Sequence, residues 1–399
     1  MIFLIFALSL WYAWRYSRTE IDPDWAMFNL EGFTGARYGK DFIDCKSPLI
    51  HYWYRGIAKM VGKDVKRVKF AHHFLISIPG FIIGGWQGLA FVALVNSGWL
   101  YAFHGNVGQQ AVGLIMLSLF AQQEWISTAL LFAAVAFEPK LVSVLVIPLL
   151  HGWYLPFTLL SLTGISIALL IRFYAPQYWG WLWEANIVVP KRMTEMRRKL
   201  LKNGVDYINI PSQGMLFILP WLWFAIVNRP DVLYWLPLFL YMLLMIVGIA
   251  VRSNHFIPLA AWIALALPQT AIYGLLATEI LSGMFYLPDI WRRYYPRLAN
   301  INQDAKAVGE WLRDKPGRLW VNGLHTGIYI YSGKPPFGGM TEQIEIRENV
   351  HERREAWRNA FKASPPEWVV VGFEPGWNFE PIGYNLVAKT MHSNIYRRS

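Results

Sequence analysis

Between Asp22 and His51 the chain gathers Asp22, Asp24, Glu31, Asp41, Asp44, Lys46 and His51 in one polar stretch. Carboxylates of this kind can take a proton from an attacking hydroxyl, and an ammonium beside them can hold a phosphate as negative charge grows on it. A plainer reading uses the same residues. Asp22 and Asp24 flank Pro23, where an acid caps the start of a helix, and Lys46 is a solvated interfacial cation.

The elements that must position these groups are not those of a soluble protein. Of 399 residues, 55% are hydrophobic and only 16% are charged. From Phe70 to Ile171 the only Asp, Glu, Lys or Arg residues are Glu124, Glu138 and Lys140, and a water-facing surface needs far more charge than that. Disorder, a coiled coil and a soluble enzyme are thereby excluded. The period-two alternation of an outer-membrane barrel is absent, so helices are the spanning element. Cys45 is the only cysteine, and no internal disulfide can form.

Met1 to Trp14 is an apolar run without the basic start and small-residue cleavage site of a signal peptide, and it reads as a retained first helix. The first polar loop, 17–67, follows it. Apolar runs divided at Trp86, His104, Gln123, Glu138 and His151 then extend to Tyr174, with the alternative that the runs flanking Pro139 form one kinked helix. A second polar loop, 175–213, carries Lys191, Arg192, Arg197, Arg198, Lys199 and Lys202. Further spans are expected at 215–227, 233–251, 256–267 and 270–287, for about eleven transmembrane helices in all. The expected architecture is an all-α polytopic membrane bundle over 1–287 with a small C-terminal α/β soluble domain over 288–399. In that domain Asn302 to Leu312 and Glu342 to Lys362 read as amphipathic helices, and Arg318 to Val321 and Trp368 to Phe373 as buried strands. Even numbers of spans separate the polar stretches, which puts all of them on one side.

The segment Arg37-Tyr38-Gly39-Lys40-Asp41-Phe42-Ile43-Asp44-Cys45-Lys46-Ser47-Pro48-Leu49-Ile50-His51-Tyr52-Trp53, behind Ile21-Asp22-Pro23-Asp24-Trp25, resembles the GT-C glycosyltransferases. Protein O-mannosyltransferases and lipid A aminoarabinose transferases are the relatives closest in style. The tail segment Ile328-Tyr329-Ile330-Tyr331-Ser332-Gly333-Lys334 is similar to tails in that family. Ser47 stands where relatives have the first Pro of Lys-Pro-Pro-Leu, and Trp25 where many have a Glu after the acid.

The resemblance implies a polyprenyl-phosphate sugar donor, a hydroxyl-bearing lipid, glycan or protein acceptor, and an inverting transfer. It also implies a plasma-membrane protein whose active site and C-terminal domain are extracytoplasmic. The catalytic acid falls on Asp24, because Trp25 to Leu30 reads as the start of the juxtamembrane helix that follows it. Asp44, Asp22 and Asp41 are candidates for a second acid. Lys46, Arg252, His255 and Arg192 are candidates for holding the donor phosphate. The resemblance leaves open a divalent cation at the acidic loop, since some relatives use one and others do not. Arg252 and His255 at a span boundary are equally ordinary snorkelling anchors, and the run around Arg192 is equally a solvated helix face.

The net charge of +11 suits a surface beside anionic headgroups or phosphates better than one for nucleic acid, because the aromatic residues are spread through apolar segments. His72 and His73 are adjacent on a helix, so their rings point in different directions and a shared metal is disfavoured. Two other classes of function fit the composition: a lipid-headgroup transporter or flippase, and a non-catalytic subunit of a glycan-assembly complex. A literal positive-inside count would place the basic face in the cytoplasm, but the rule weakens for long loops, and the family expectation places it outside.

Overall fold

The computed structural model describes residues 1–19, 21, 23–38, 41–42, 47–100, 107–121, 123–174, 211–247, 256–285, 296–322, 325–337, 359, 361–372 and 381–399. In chain order the helices are α1 (Ile2–Ser17), α2 (Pro23–Thr34), α3 (Pro48–Val61), α4 (Val65–Leu75), α5 (Ile78–Ile83), α6 (Gly85–Val95), α7 (Val107–Ala121) and α8 (Glu124–Phe137). They continue with α9 (Val146–Leu150), α10 (Tyr154–Tyr174), α11 (Pro211–Asn228), α12 (Val232–Val247), α13 (Leu259–Ala266), α14 (Gln269–Phe285), α15 (Pro296–Leu312) and α16 (Gly327–Ser332). Four strands, β1 (Leu319–Asn322), β2 (Trp368–Gly372), β3 (Tyr384–Lys389) and β4 (Ser393–Arg398), make one sheet.

The chain divides into two compact units. One holds Met1–Arg18, Lys69–Trp179 and Thr194–Leu287; Thr19–Val68 clusters with Pro288–Ser399 in the other. The sequence reading groups the first polar loop with the apolar helices. The contacts group it with the tail.

In the first unit, α6 and α13 are short apolar helices whose residues are almost all buried, and they pack on each other at the centre. Helices α1, α5 and α14 also pack on α6, and α7 and α11 on α13. Glycine permits the closest approach: a Cβ added to Gly80 of α5 would lie 2.6 Å from Val92 Cγ2 and 2.8 Å from the Gly88 carbonyl oxygen. The expected divisions near Trp86, Gln123, Glu138 and His151 coincide with helix ends. At Glu138 the backbone becomes extended (φ −134°, ψ 93°), and Pro139–Leu145 continues as a 3₁₀ segment, so the kinked single helix does not form.

Among the described residues, Tyr154–Tyr174 is the one helix long and apolar enough to cross a membrane by length and composition. The other apolar helices are shorter. At about 1.5 Å per residue, the 11 residues of α6 cover only part of a hydrocarbon layer of about 30 Å. Among the described residues about eleven full-length spans are therefore not seen; the apolar runs described there form shorter helices.

A buried polar cluster runs through this unit. Glu279 on α14 is fully buried and accepts hydrogen bonds from Tyr12 Oη on α1 (2.7 Å) and Ser97 Oγ just after α6 (2.6 Å). Tyr16 Oη donates to the Asn96 carbonyl at 2.6 Å, and the Asn96 side chain bonds His73 Nδ1 (3.2 Å) and Ser77 Oγ (3.1 Å). His72 turns away to Gln109 Oε1 at 3.2 Å. The adjacent histidines thus serve different helices, as their spacing on α4 dictates.

In the second unit the sheet order is β1-β2-β4-β3, with β1 and β2 parallel and the other pairs antiparallel. Strands β1 and β2 and helix α15 fall where the apolar patterning expects them; β3, β4 and α16 carry weaker patterns and were not anticipated. Most of the helix expected over Glu342 to Lys362 lies outside the described residues. Trp320, Phe337, Val369, Val371 and Tyr396 form the core under the sheet, with Phe361 and Tyr384 packed against it. The Tyr384 hydroxyl donates to the Pro366 carbonyl at 2.6 Å, and burial pushes its pKa up to about 12.

Candidate active-site scaffold

Helix α2 starts at Pro23, whose fixed φ and missing N–H suit the first helical turn. Asp24 is therefore the second residue of a helix, where the positive end of the dipole favours a carboxylate. The Asp24 side chain lies outside the described residues, as do Asp22, Asp44, Lys46, Arg192, Arg252 and His255 in full. The structure describes the scaffold around them.

That scaffold is a helix pair bridged by the tail. Helices α2 and α3 pack so closely at Gly32 that an added Cβ would stand 2.9 Å from Ala58 Cβ. Glu31 of α2 is buried and pairs with Arg55 of α3. Trp25 and Phe28 of α2 pack on Tyr54 of α3, with Phe28 and Tyr54 stacked at 6.2 Å and 13°, and Phe33 meets Trp25 edge-on at 5.9 Å. Burial holds the Tyr54 hydroxyl well above the ordinary phenol range, so the ring is a neutral packing element.

Ser47, the departure from Lys-Pro-Pro-Leu, has a definite task. It is the N-cap of α3, its Oγ accepting from the Leu49 N–H at 3.3 Å, with Pro48 in the first turn. The position of Lys46 immediately before this cap follows from sequence continuity.

Between the two helices the chain makes a tight turn. Asp41 closes it: its Oδ2 accepts from the Arg37 N–H at 2.8 Å, while its own N–H donates to the Arg37 carbonyl at 2.8 Å. A carboxylate so engaged is a turn-former, whatever further part it takes. The turn rests on His51, which is fully buried, stacks on Tyr38 at 4.6 Å and 27°, and meets Phe42 edge-on at 5.2 Å and Phe28 at 6.1 Å. The sequence displayed His51 only as another ionisable group. Its position three residues after Pro48 put it on the inner face of a helix, but nothing in the sequence paired it with Tyr38.

The tail contributes α16, built from the Ile328-Tyr329-Ile330-Tyr331-Ser332 segment, which packs on α2 and α15. Gly327 is needed there, because an added Cβ would press on Ile21 Cδ1 at 3.3 Å and Ala305 Cβ at 3.4 Å. Tyr329 Oη accepts from the Val321 N–H at 2.9 Å, which ties α16 to β1. Behind them Ser393 Oγ donates to Asp304 Oδ2 at 2.6 Å, and buried His325 stands with Nε2 4.0 Å from the same oxygen. Here the aspartate accepts the serine proton and no serine–histidine bond forms, so the set joins β4, α15 and the approach to α16. It has no activated nucleophile. Among the described residues no three His, Cys, Asp or Glu side chains are grouped to hold a metal.

The chain has a GT-C-type fold. A solved structure that it matches along nearly the whole length is ArnT from Cupriavidus metallidurans bound to undecaprenyl phosphate: 13% sequence identity, 99% of this chain and 97% of that chain covered, TM-score 0.56. No protein-family model matches the chain, and no curated protein matches it by sequence.

Proposed function

We propose that the protein is an integral-membrane glycosyltransferase that moves a sugar, with inversion, from a polyprenyl-phosphate donor to a hydroxyl acceptor. The observation that carries this is the fold, matched over 99% of the chain to a protein solved with undecaprenyl phosphate. The acidic loop supplies residues of the types the reaction requires. The acceptor oxygen attacks the anomeric carbon and loses its proton to Asp24; the carbon–oxygen bond to phosphate breaks, and the phosphate leaves with the electron pair. Lys46 holds that phosphate as its charge grows. Arg192, Arg252 and His255 are proposed as further donor-phosphate contacts, and Asp22 or Asp44 as a second acid orienting the acceptor. A divalent cation, if the reaction uses one, would sit on these carboxylates.

Asp24→Asn removes the proton acceptor with little change of shape. Turnover of a radiolabelled polyprenyl-phosphate sugar by the purified protein should be lost, with thermal stability nearly unchanged. Native-like turnover by Asp24→Asn would reject Asp24 as the base. No turnover by the unaltered protein with any such donor, together with headgroup translocation in vesicles, would favour a flippase; neither activity would favour an accessory subunit.

The active site and the tail are proposed to face the extracytoplasmic side of the plasma membrane. The shared compact unit of Thr19–Val68 and Pro288–Ser399 supports a common side for both. Met391 is 80% exposed on the tail, and Cys45 is the only native thiol. In a Cys45→Ser background, Met391→Cys should react with a membrane-impermeant maleimide in intact cells; reaction only after lysis would invert the orientation.

A further inference from the structure

The last turn of α3, the connection to α4 and the first turn of α4 together carry four basic side chains, Lys59, Lys63, Lys66 and Arg67, against one acid, Asp64. All five residues are exposed. The connection is built, not slack. Gly62 turns it with φ 86°, Lys63 Nζ donates to the Phe33 carbonyl at 3.0 Å, and Asp64 Oδ1 caps the first turn of α4 through the Arg67 N–H at 2.9 Å. Asp64 is thus occupied by backbone. Among the described residues the side chains of Lys59, Lys66 and Arg67 make no hydrogen bond or ion pair, although cations this close together repel one another.

Apolar groups stand beside them. The inner face of α3 buries Ile50, His51, Tyr54, Ile57 and Ala58, while Tyr52 (46% exposed), Lys59 and Met60 (68% exposed) share the opposite face at i, i+7 and i+8. A large apolar side chain exposed among cations suits a layer with charged heads over hydrocarbon better than it suits water. The sequence fixes the depth: Lys69 is the last charged residue before Glu124, so the patch directly precedes the longest apolar block.

We propose that Lys59, Lys66 and Arg67, with Tyr52 and Met60, form a docking surface for anionic phospholipid headgroups of the bilayer. The cations would take the phosphodiester charges while Met60 and Tyr52 enter the layer beneath. The surface would hold the α2–α3 pair at the height of the headgroups. This inference depends on the membrane reading and not on sugar transfer, and its readout is independent of activity.

The test places a bimane fluorophore through Met60→Cys in a Cys45→Ser background. The protein is reconstituted in nanodiscs of equal parts phosphatidylcholine and phosphatidylglycerol, with one lipid brominated at a time. Quenching by brominated phosphatidylglycerol should exceed that by brominated phosphatidylcholine several-fold at low salt, on the scale of roughly fivefold per surface cation, and the excess should shrink at 0.5 M salt, taken here as roughly a strongly screening concentration. Lys59→Gln/Lys66→Gln/Arg67→Gln should bring the two lipids level, whereas Lys59→Arg/Lys66→Arg, which keeps the charge, should retain the excess. Equal quenching by both lipids around the unaltered patch would overturn the proposal. So would an absence of quenching by either lipid, or an excess that survives the triple Gln substitution.

Discussion

The two compact units differ in how closely their backbones approach and in what sets their contacts. In the unit built on α6 and α13, backbones touch at Gly80 and Gly88, apolar side chains make up most of what is buried, and the buried polar side chains are bonded in sets such as the one around Glu279, which joins α1, the end of α6 and α14. In the unit built on α2, α3 and the sheet, the contacts are mixed: an ion pair, aromatic stacks, a hydroxyl-capped helix and main-chain bonds from side chains. The difference follows from the surroundings of each. Where neighbouring helices and lipid are equally apolar, hydrophobicity gives little preference for one contact over another, and close fit with a few hydrogen bonds selects the arrangement. Where water is present, burial drives association and polar bonds set the register. The proposed base and phosphate contact, Asp24 and Lys46, fall within the bounds of the second unit, whereas Arg252 and His255 fall within the first.

The sharpest test of that contrast is Lys46→Ala. It should lower kcat/KM for the lipid-linked sugar by about 2–4 kcal/mol, the range for one lost electrostatic stabiliser, and leave thermal stability nearly unchanged. Steady-state kinetics with donor and acceptor varied separately decide it, since an effect confined to acceptor KM would move Lys46 to the other substrate. Lys46→Arg should restore only part of the loss, because a planar fork does not replace a compact ammonium.

Gly88→Ala probes the other unit and should have the reverse profile. An added methyl meets the Gly80 carbonyl, which cannot swing away as a flexible side chain could, and overpacking of this kind costs about 1–3 kcal/mol. The expected result is a lower Tm with unchanged donor KM in the surviving fraction. An unchanged Tm would mean that α5 and α6 do not cross at these glycines.

The smallest expected effect is at His51. His51→Ala removes the ring on which Tyr38 stacks, a contact worth about 0.5–1.5 kcal/mol, and should loosen the turn that leads toward Asp44 and Lys46. His51→Phe keeps a ring and should recover most of the Tm. If Phe recovers stability but not donor KM, the imidazole also has a polar part in positioning the turn; if it recovers neither, the stack is not what holds the turn.

Much of the fold was legible in the residues. The almost uncharged block after Lys69 calls for apolar helices, and its breaks fall beside Gly84-Gly85, Gln123 and Glu138-Pro139, where glycine, proline and polar side chains interrupt a helix whatever surrounds it. Pro23 and Ser47-Pro48 announce the starts of α2 and α3 for the same local reason. Even the departure at Ser47 was informative, since a serine ahead of a proline is an N-cap signal. The sign of the basic patch at Lys59 to Arg67 was also present in the sequence, although its exposure and the open side chains of Lys59, Lys66 and Arg67 were not.

What local patterns could not contain were pairings between distant segments. The union of the first polar loop with the tail depends on Ile21 meeting Gly327, and the hold on the acidic turn depends on His51 meeting Tyr38. Neither partner has a periodicity that points to the other. The same limit hid the partners of Glu279, a charged residue in an apolar run whose two hydroxyl donors come from α1 and from the end of α6. Composition and helix punctuation depend on each residue and its near neighbours, so the sequence determined them alone. The polar contacts that aim the candidate site depend on which surfaces meet after folding, and only the tertiary structure decided those.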